Sequence, residues 1–242
     1  MIRFRKAVLI IHGFAGGVYD LEYLSTMLEL NPKLDVYTFT LPGHTGENIK
    51  KITHEDWIKK CEDKIEFLIK NGYKNIYLIG HSMGGVLASY LASKYPEVKK
   101  LVLAAPAFKV NGHETGKWDI TKVMKEVPKI IEQYTFKYLK DRMTKVPVNF
   151  YPEFLELTAK LQDVPEKITQ PTLLIWGKED KIVPAATSED LLKKLKTDKK
   201  KLIIFNNATH AIFSEDKKVE ATEYIEKFFK STSALEKFPD KA

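Results

Sequence analysis

The stretch Gly80-His81-Ser82-Met83-Gly84 follows directly on the apolar run Ile76-Tyr77-Leu78-Ile79, and few short patterns restrict a fold more. The apolar run reads as a buried strand. Glycines two residues to either side of the serine read as a turn too tight for larger side chains, and the small face of Gly85, Ala88, Ser89 and Ala92 reads as a helix lying close on a sheet. Strand, sharp turn and helix in this order make a nucleophile elbow, which lifts a serine Oγ clear of the sheet. Ser82 is therefore the candidate nucleophile. The competing reading is a coincidental G-x-S-x-G in a glycine-containing chain, and only the structural setting and partners elsewhere in the sequence answer it.

Around the elbow, short β-branched runs alternate with amphipathic stretches, the pattern of a parallel sheet with helices on both faces. The runs predict strands near 5–11, 34–39, 75–80, 100–104, 171–176 and 201–206, and helices near 18–30, 55–71, 84–94, 185–196 and 215–230. The fold class is thus α/β with a mostly parallel sheet. The alternation stops between Ala107 and Ile168, where Pro128, Pro147, Pro152 and Pro165 punctuate short helical stretches. A connection of this length carries its own structure and in general covers a site. The expected division is a core of 1–106 and 169–242 with a helical cap over 107–168. Eight aromatics fall in the insertion, near its share by length, so they do not by themselves indicate a pocket. The polar tail from Ser231 is expected to fray.

With 242 residues the chain is long enough to bury a large core without a staple. Its one cysteine, Cys61, lies in a helical pattern with Trp57, Ile58, Ile65, Leu68 and Ile69 and reads as a small buried apolar residue. A reducing, cytoplasmic location is the expectation. Arg3, Arg5 and Lys6 precede an apolar run too short for a secretory signal, and no stretch reaches the length of a membrane span, so stable membrane insertion is not expected. The net charge of +7 raises nucleic acid as a partner. The densest cluster, Lys193, Lys194, Lys196, Lys199, Lys200 and Lys201, instead sits at a helix end and lacks interleaved aromatics for stacking on bases. No nucleic-acid partner is expected, and nothing in the pattern specifies an oligomer.

A serine hydroxyl needs a base in reach and a group that orients the base. On such a sheet the order is serine, acid, histidine. Downstream of Ser82 stand only His113, in the insertion, and His210, which follows the run Leu202-Ile203-Ile204-Phe205 and so lies at the carboxyl end of a strand, where open α/β sheets bind ligands. By the same placement Asp180, after Leu173-Leu174-Ile175-Trp176-Gly177, is the acid, with Glu179 its nearest competitor. The oxyanion donors are expected to be the backbone N–H groups of Met83, next to the nucleophile, and of Phe14, in the loop after the first strand. Gly13-Phe14-Ala15-Gly16-Gly17 does not match a phosphate-binding loop or the dinucleotide fingerprint, so no cofactor is expected. His12, His44, His54 and His81 form no metal motif, so no metal is expected either; His12 and His81 read as braces for the loops beside Ser82.

Four segments together resemble the α/β-hydrolase family, in its carboxylesterase and monoacylglycerol lipase branch. They are His12-Gly13-Phe14, Leu41-Pro42-Gly43-His44, Gly80-His81-Ser82-Met83-Gly84-Gly85, and Gly177-Lys178-Glu179-Asp180 with Thr209-His210. The resemblance runs from Val8 to about Phe229 outside the insertion. It implies a Ser82, Asp180, His210 triad, an oxyanion hole at Phe14 and Met83, and a cap that shapes an acyl pocket. The implied activity is hydrolysis of carboxylic esters, with short to medium acyl esters or monoacylglycerols as small-molecule substrates. A triad hydrolase of thioesters, lactones or C–C bonds, and a hydrolase-like receptor with little turnover, are the alternatives. Many relatives have Gly-His-Gly where this chain reads Gly43-His44-Thr45.

Overall fold

The computed structural model describes residues 5–46, 51–110, 146, 150–214, 217–240 and 242. Most of the insertion, His113 included, lies outside the described residues, and so does most of the proposed cap.

Six strands form one sheet: β1 (Lys6–Ile11), β2 (Leu34–Thr38), β3 (Ile76–His81), β4 (Val98–Ala104), β5 (Thr172–Gly177) and β6 (Lys200–Phe205). Their order is β2-β1-β3-β4-β5-β6, and every pairing is parallel. Parallel strands are covered on both faces and need continuous apolar runs. Residues 7–11 and 172–177 are accordingly buried without interruption.

The helices are α1 (Glu22–Glu29), α2 (His54–Lys70), α3 (Met83–Lys94), α4 (Phe150–Leu161), α5 (Ser188–Lys194) and α6 (Lys218–Lys230). α1 packs with α6, while α2 and α3 pack with each other and with α4. α2 starts where the Asp56 carboxylate reaches back to the Thr53 N–H at 2.8 Å, which satisfies a donor the helix cannot. It buries one stripe, Trp57, Ile58, Cys61, Ile65 and Leu68. Burial pushes the Cys61 thiol far up, so it behaves as the apolar filler its spacing predicts. α3 is apolar almost all round and buried along most of its length, as the central helix over the sheet must be.

The tail departs from expectation. The segment Thr232–Lys237 is a 3-10 helix, Leu235 and Phe238 are buried, and Phe238 meets Tyr224 edge to face at 4.9 Å. Beyond it the Ile204 N–H donates to the Asp240 carbonyl at 3.0 Å, and the Ala242 N–H donates to the Ile204 carbonyl at 3.0 Å. Two apolar anchors hold the polar tail along β6, the edge strand, whose backbone groups would otherwise stay open to pairing with another chain. The lysine cluster is also partly spent on structure: Lys201 pairs with Asp240 at 2.6 Å and Lys200 donates to the Leu195 carbonyl at 2.9 Å.

Strand order reverses between β1 and β3, because β1 leads outward to β2 on one side while β3 leads to β4 on the other. Such a switch point opens a crevice at the carboxyl ends of the strands. The loops leaving β1 and β3 carry Phe14 and Ser82.

Candidate active site

Ser82 takes φ 55° and ψ −122°, a conformation side chains other than hydrogen rarely adopt. Three backbone bonds impose it. The Ser82 N–H donates to Ala104 at 2.9 Å, and its carbonyl accepts from Gly85 at 2.9 Å and Ala107 at 3.1 Å. The turn works only with glycine beside it: a Cβ on Gly84 would strike the carbonyl oxygens of Ile11 and His12, and one on Gly80 the carbonyl of Gly84. Met83 is the first residue of α3, so its N–H belongs to the helix end that lacks intrahelical acceptors and carries partial positive charge.

The β1 loop comes up against the elbow, with a Cβ position on Gly13 only 3.0 Å from Ser82 Cβ. The Gly16 N–H donates to Gly13 at 3.1 Å, and Ala15 is held at φ 55°. His12 ties this loop to its neighbour: Nδ1 donates to the Gly13 carbonyl at 2.8 Å and Nε2 accepts from the Leu41 N–H at 2.9 Å.

Asp180 and His210 meet across the ends of β5 and β6. Asp180 Oδ1 accepts from the N–H groups of Ile182 (2.9 Å) and Val183 (2.8 Å), and Oδ2 accepts from His210 Nδ1 at 2.7 Å. The carboxylate side chain is fully buried. Glu179, one residue earlier, is exposed, and no hydrogen bond between it and His210 is seen among the described residues. The loops are pressed together at Gly177, where any Cβ would strike the carbonyls of Ala208 and Thr209. With Nδ1 committed to Asp180, the opposite ring nitrogen of His210 is the one left for proton transfer.

His81 braces this arrangement from behind. Its Nε2 donates to the His210 carbonyl at 2.8 Å, and the two rings lie 4.8 Å apart. Loss of water around the ring and the adjacent His210 push its pKa down to about 3, so His81 supports the loop as a neutral ring.

Sequence reading did not supply the wall that α4 adds. Phe150, Phe154, Leu157 and Leu161 form its buried stripe, and Phe154 stacks on the Phe14 ring at 5.2 Å while Tyr151 meets it edge to face at 6.1 Å. The i, i+4, i+7, i+11 spacing of that stripe was a usable signal. α4 is fastened to the start of α2 by Glu153, whose carboxylate accepts from the His54 N–H at 2.9 Å and His54 Nδ1 at 2.8 Å. Glu156 comes within 3.6 Å of the same nitrogen. His54, Glu153 and Glu156 thus converge between the two helices, with their ligand-type atoms within 4.8 Å of one another.

Among the described residues no helix is long and apolar enough to cross a membrane. The family described as serine aminopeptidase, S33, matches residues 3–217. Curated relatives include the carboxylesterase of Bacillus subtilis (strain 168), 25% identical over 215 residues that cover 86% of this chain and 85% of that protein. The thermostable monoacylglycerol lipase of Bacillus sp. (strain H-257) is 25% identical over 211 residues, 84% of this chain and 82% of that one. Among solved structures, the monoacylglycerol lipase of Paleococcus ferrophilus superposes with a TM-score of 0.72 at 22% identity, covering 96% of both chains.

Proposed function

Because the chain belongs to the serine aminopeptidase S33 family and is an ester hydrolase of the α/β-hydrolase fold, we propose that it cleaves short to medium acyl esters or monoacylglycerols through an acyl-enzyme on Ser82. The observation that carries the reading is the buried Asp180–His210 hydrogen bond of 2.7 Å at the strand ends beside the elbow.

In this reading His210 Nε2 takes the Ser82 proton as Oγ attacks the ester carbonyl carbon. The carbonyl π electrons move onto oxygen, where the N–H groups of Met83 and Phe14 receive them; one such donor contributes about 3–4 kcal/mol of transition-state stabilisation. Collapse breaks the C–O bond, and His210 returns its proton to the departing alcohol. Water, deprotonated by His210, then repeats the attack on the acyl-serine and regenerates Ser82. Asp180 holds the imidazole in the required tautomer and stabilises its cation.

The aromatic surroundings of Phe14 support an uncharged acyl substrate. Trp57, Tyr151 and Phe154 all lie within 6.1 Å of its ring, centroid to centroid, and apolar walls with few polar groups suit acyl chains. The test is turnover of p-nitrophenyl esters from acetate to dodecanoate, with an amino-acid p-nitroanilide as the peptidase control and Ser82→Ala as the variant. Ester turnover that vanishes in Ser82→Ala, with fluorophosphonate labelling confined to the wild type, is expected. Undiminished turnover in the variant, or none in the wild type across the series, overturns the reading.

A further inference from the structure

His54 opens α2, and three carboxylates stand around its ring. Nδ1 lies 2.8 Å from Glu153 Oε2 and 3.6 Å from Glu156 Oε2, while Nε2 lies 3.2 Å from Glu55 Oε1. Glu153 and Glu156 are three residues apart on α4, so one face of that helix turns both toward the same nitrogen. Lys160, further along α4, pairs with Glu55. Two carboxylates are left to a single ring nitrogen, which has one proton at most to offer them. An ion pair between the helices needs only Glu153, which already accepts from both the His54 N–H and Nδ1.

The spacing suits a metal ion in place of that proton. Ligand atoms about 2.1 Å from a zinc ion lie about 3.4 Å apart at the tetrahedral angle. The ligand atoms of His54, Glu153 and Glu156 all lie within 4.8 Å of one another, and Glu156 is exposed, so its side chain can close the remaining gap. The surroundings suit it too. A metal-bound imidazole usually presents its other nitrogen to a carboxylate, which fixes the tautomer and aims the ring, and bound carboxylates are themselves hydrogen-bonded. Glu55 stands at Nε2 with Lys160 behind it, and the His54 N–H steadies Glu153.

We propose that His54 Nδ1, Glu153 and Glu156 bind one divalent transition-metal ion of the zinc type, with water completing its coordination, and that the ion pins α4 to the start of α2. On binding, the ion replaces the Nδ1 proton, which leaves to solvent, and Nε2 keeps its proton toward Glu55. An imidazole in the set selects such ions over Mg²⁺ and Ca²⁺, which favour oxygen ligands. Phe154, beside Glu153, stacks on Phe14, so the ion would steady the aromatic wall of the active site. The role is structural and does not depend on the ester-hydrolase reading.

The experiment titrates the full chain, stripped with a chelator, with ZnCl₂ and with MgCl₂ by calorimetry, and follows thermal unfolding alongside. One zinc ion per chain is expected. Zinc at about a hundred times its dissociation constant should raise the unfolding midpoint by about 5–10 °C, and Mg²⁺ should leave it unmoved. Glu156→Gln keeps the His54–Glu153 hydrogen bonds, so its metal-free midpoint should match the wild type while zinc binding weakens by more than about tenfold. Glu55→Gln leaves all three ligands in place and should weaken binding by about 10–100-fold through the freed ring. No zinc binding by the wild type, an equal shift with Mg²⁺, or an affinity undiminished in either variant overturns the proposal.

Discussion

Replacing Asp180 by asparagine separates the acid's chemical role from its structural one. Oδ1 of Asp180 accepts two backbone N–H groups, from Ile182 and Val183, and only Oδ2 faces His210 Nδ1. An asparagine must turn its carbonyl oxygen toward those two donors, because the opposite choice sets its NH₂ against two N–H groups and leaves them unpaired. The NH₂ then faces Nδ1, which must become an acceptor, and the imidazole proton moves to Nε2. His210 can no longer take the Ser82 proton. The expected loss is about 10,000-fold in kcat, or about 5.5 kcal/mol of activation free energy. Stability should change little, since both backbone donors keep their acceptor. Asp180→Ala instead strands the Ile182 and Val183 N–H groups, at about 1–3 kcal/mol for each one left unpaired, and should lower the unfolding midpoint as well as the rate. The assay is p-nitrophenyl butyrate hydrolysis with urea unfolding measured on the same samples. An Asp180→Asn enzyme that keeps more than a tenth of wild-type kcat refutes the assignment of Asp180 as the group that orients His210.

Three further outcomes are expected. His81 has its pKa lowered to about 3 in the fold against an ordinary value of 6.5, so the unfolded chain binds the proton first. Stability should be fully present above pH 6.5 and decline as pH falls toward 3, and His81→Gln should flatten this slope in urea unfolding at pH 7, 5.5 and 4.5; an unchanged slope assigns the acid sensitivity elsewhere. Gly84→Ala drives a Cβ into the backbone carbonyls of Ile11 and His12, which cannot rotate away, and should cost about 1–3 kcal/mol or prevent folding, read from thermal unfolding. Phe238→Ala removes a buried ring that anchors the tail on Tyr224 and should destabilise the protein by about 3 kcal/mol, with faster amide exchange at Ile204 and Asn206 as the accompanying sign; unaltered exchange there would show that the tail does not depend on this anchor.

Much of the core was legible along the chain. Each strand is a short apolar run closed by turn residues, and all six fall within about two residues of where those runs place them. β4 begins earlier than its apolar run, at Val98, because that residue pairs with Ile76 across a register shift that sequence pattern does not encode. The order of the tail is not legible in its polar composition, which hides two anchors, Leu235 and Phe238, whose value depends on surfaces that come from α6 and β6. In the site, Ser82, Asp180 and His210 were singled out by their places after strands, which is local information. Burial, which the sequence does not show, is what favours Asp180 over Glu179: one carboxylate is enclosed with three donors, and the other residue is exposed.

By itself, then, the sequence determined the alternation of strands and helices, the elbow and the candidates for nucleophile, acid and base, because strand runs and tight turns depend on neighbours a few residues apart. Tertiary structure alone decided the parts assembled from distant segments. The hydrogen bond of His54 to Glu153 joins residues 99 positions apart, and the aromatic wall on Phe14 comes from α4. Hydrogen bonds and desolvation act over a few ångströms in space. Which atoms they join is set by the packing of the sheet, and only the short-range part of that packing is written in the order of residues.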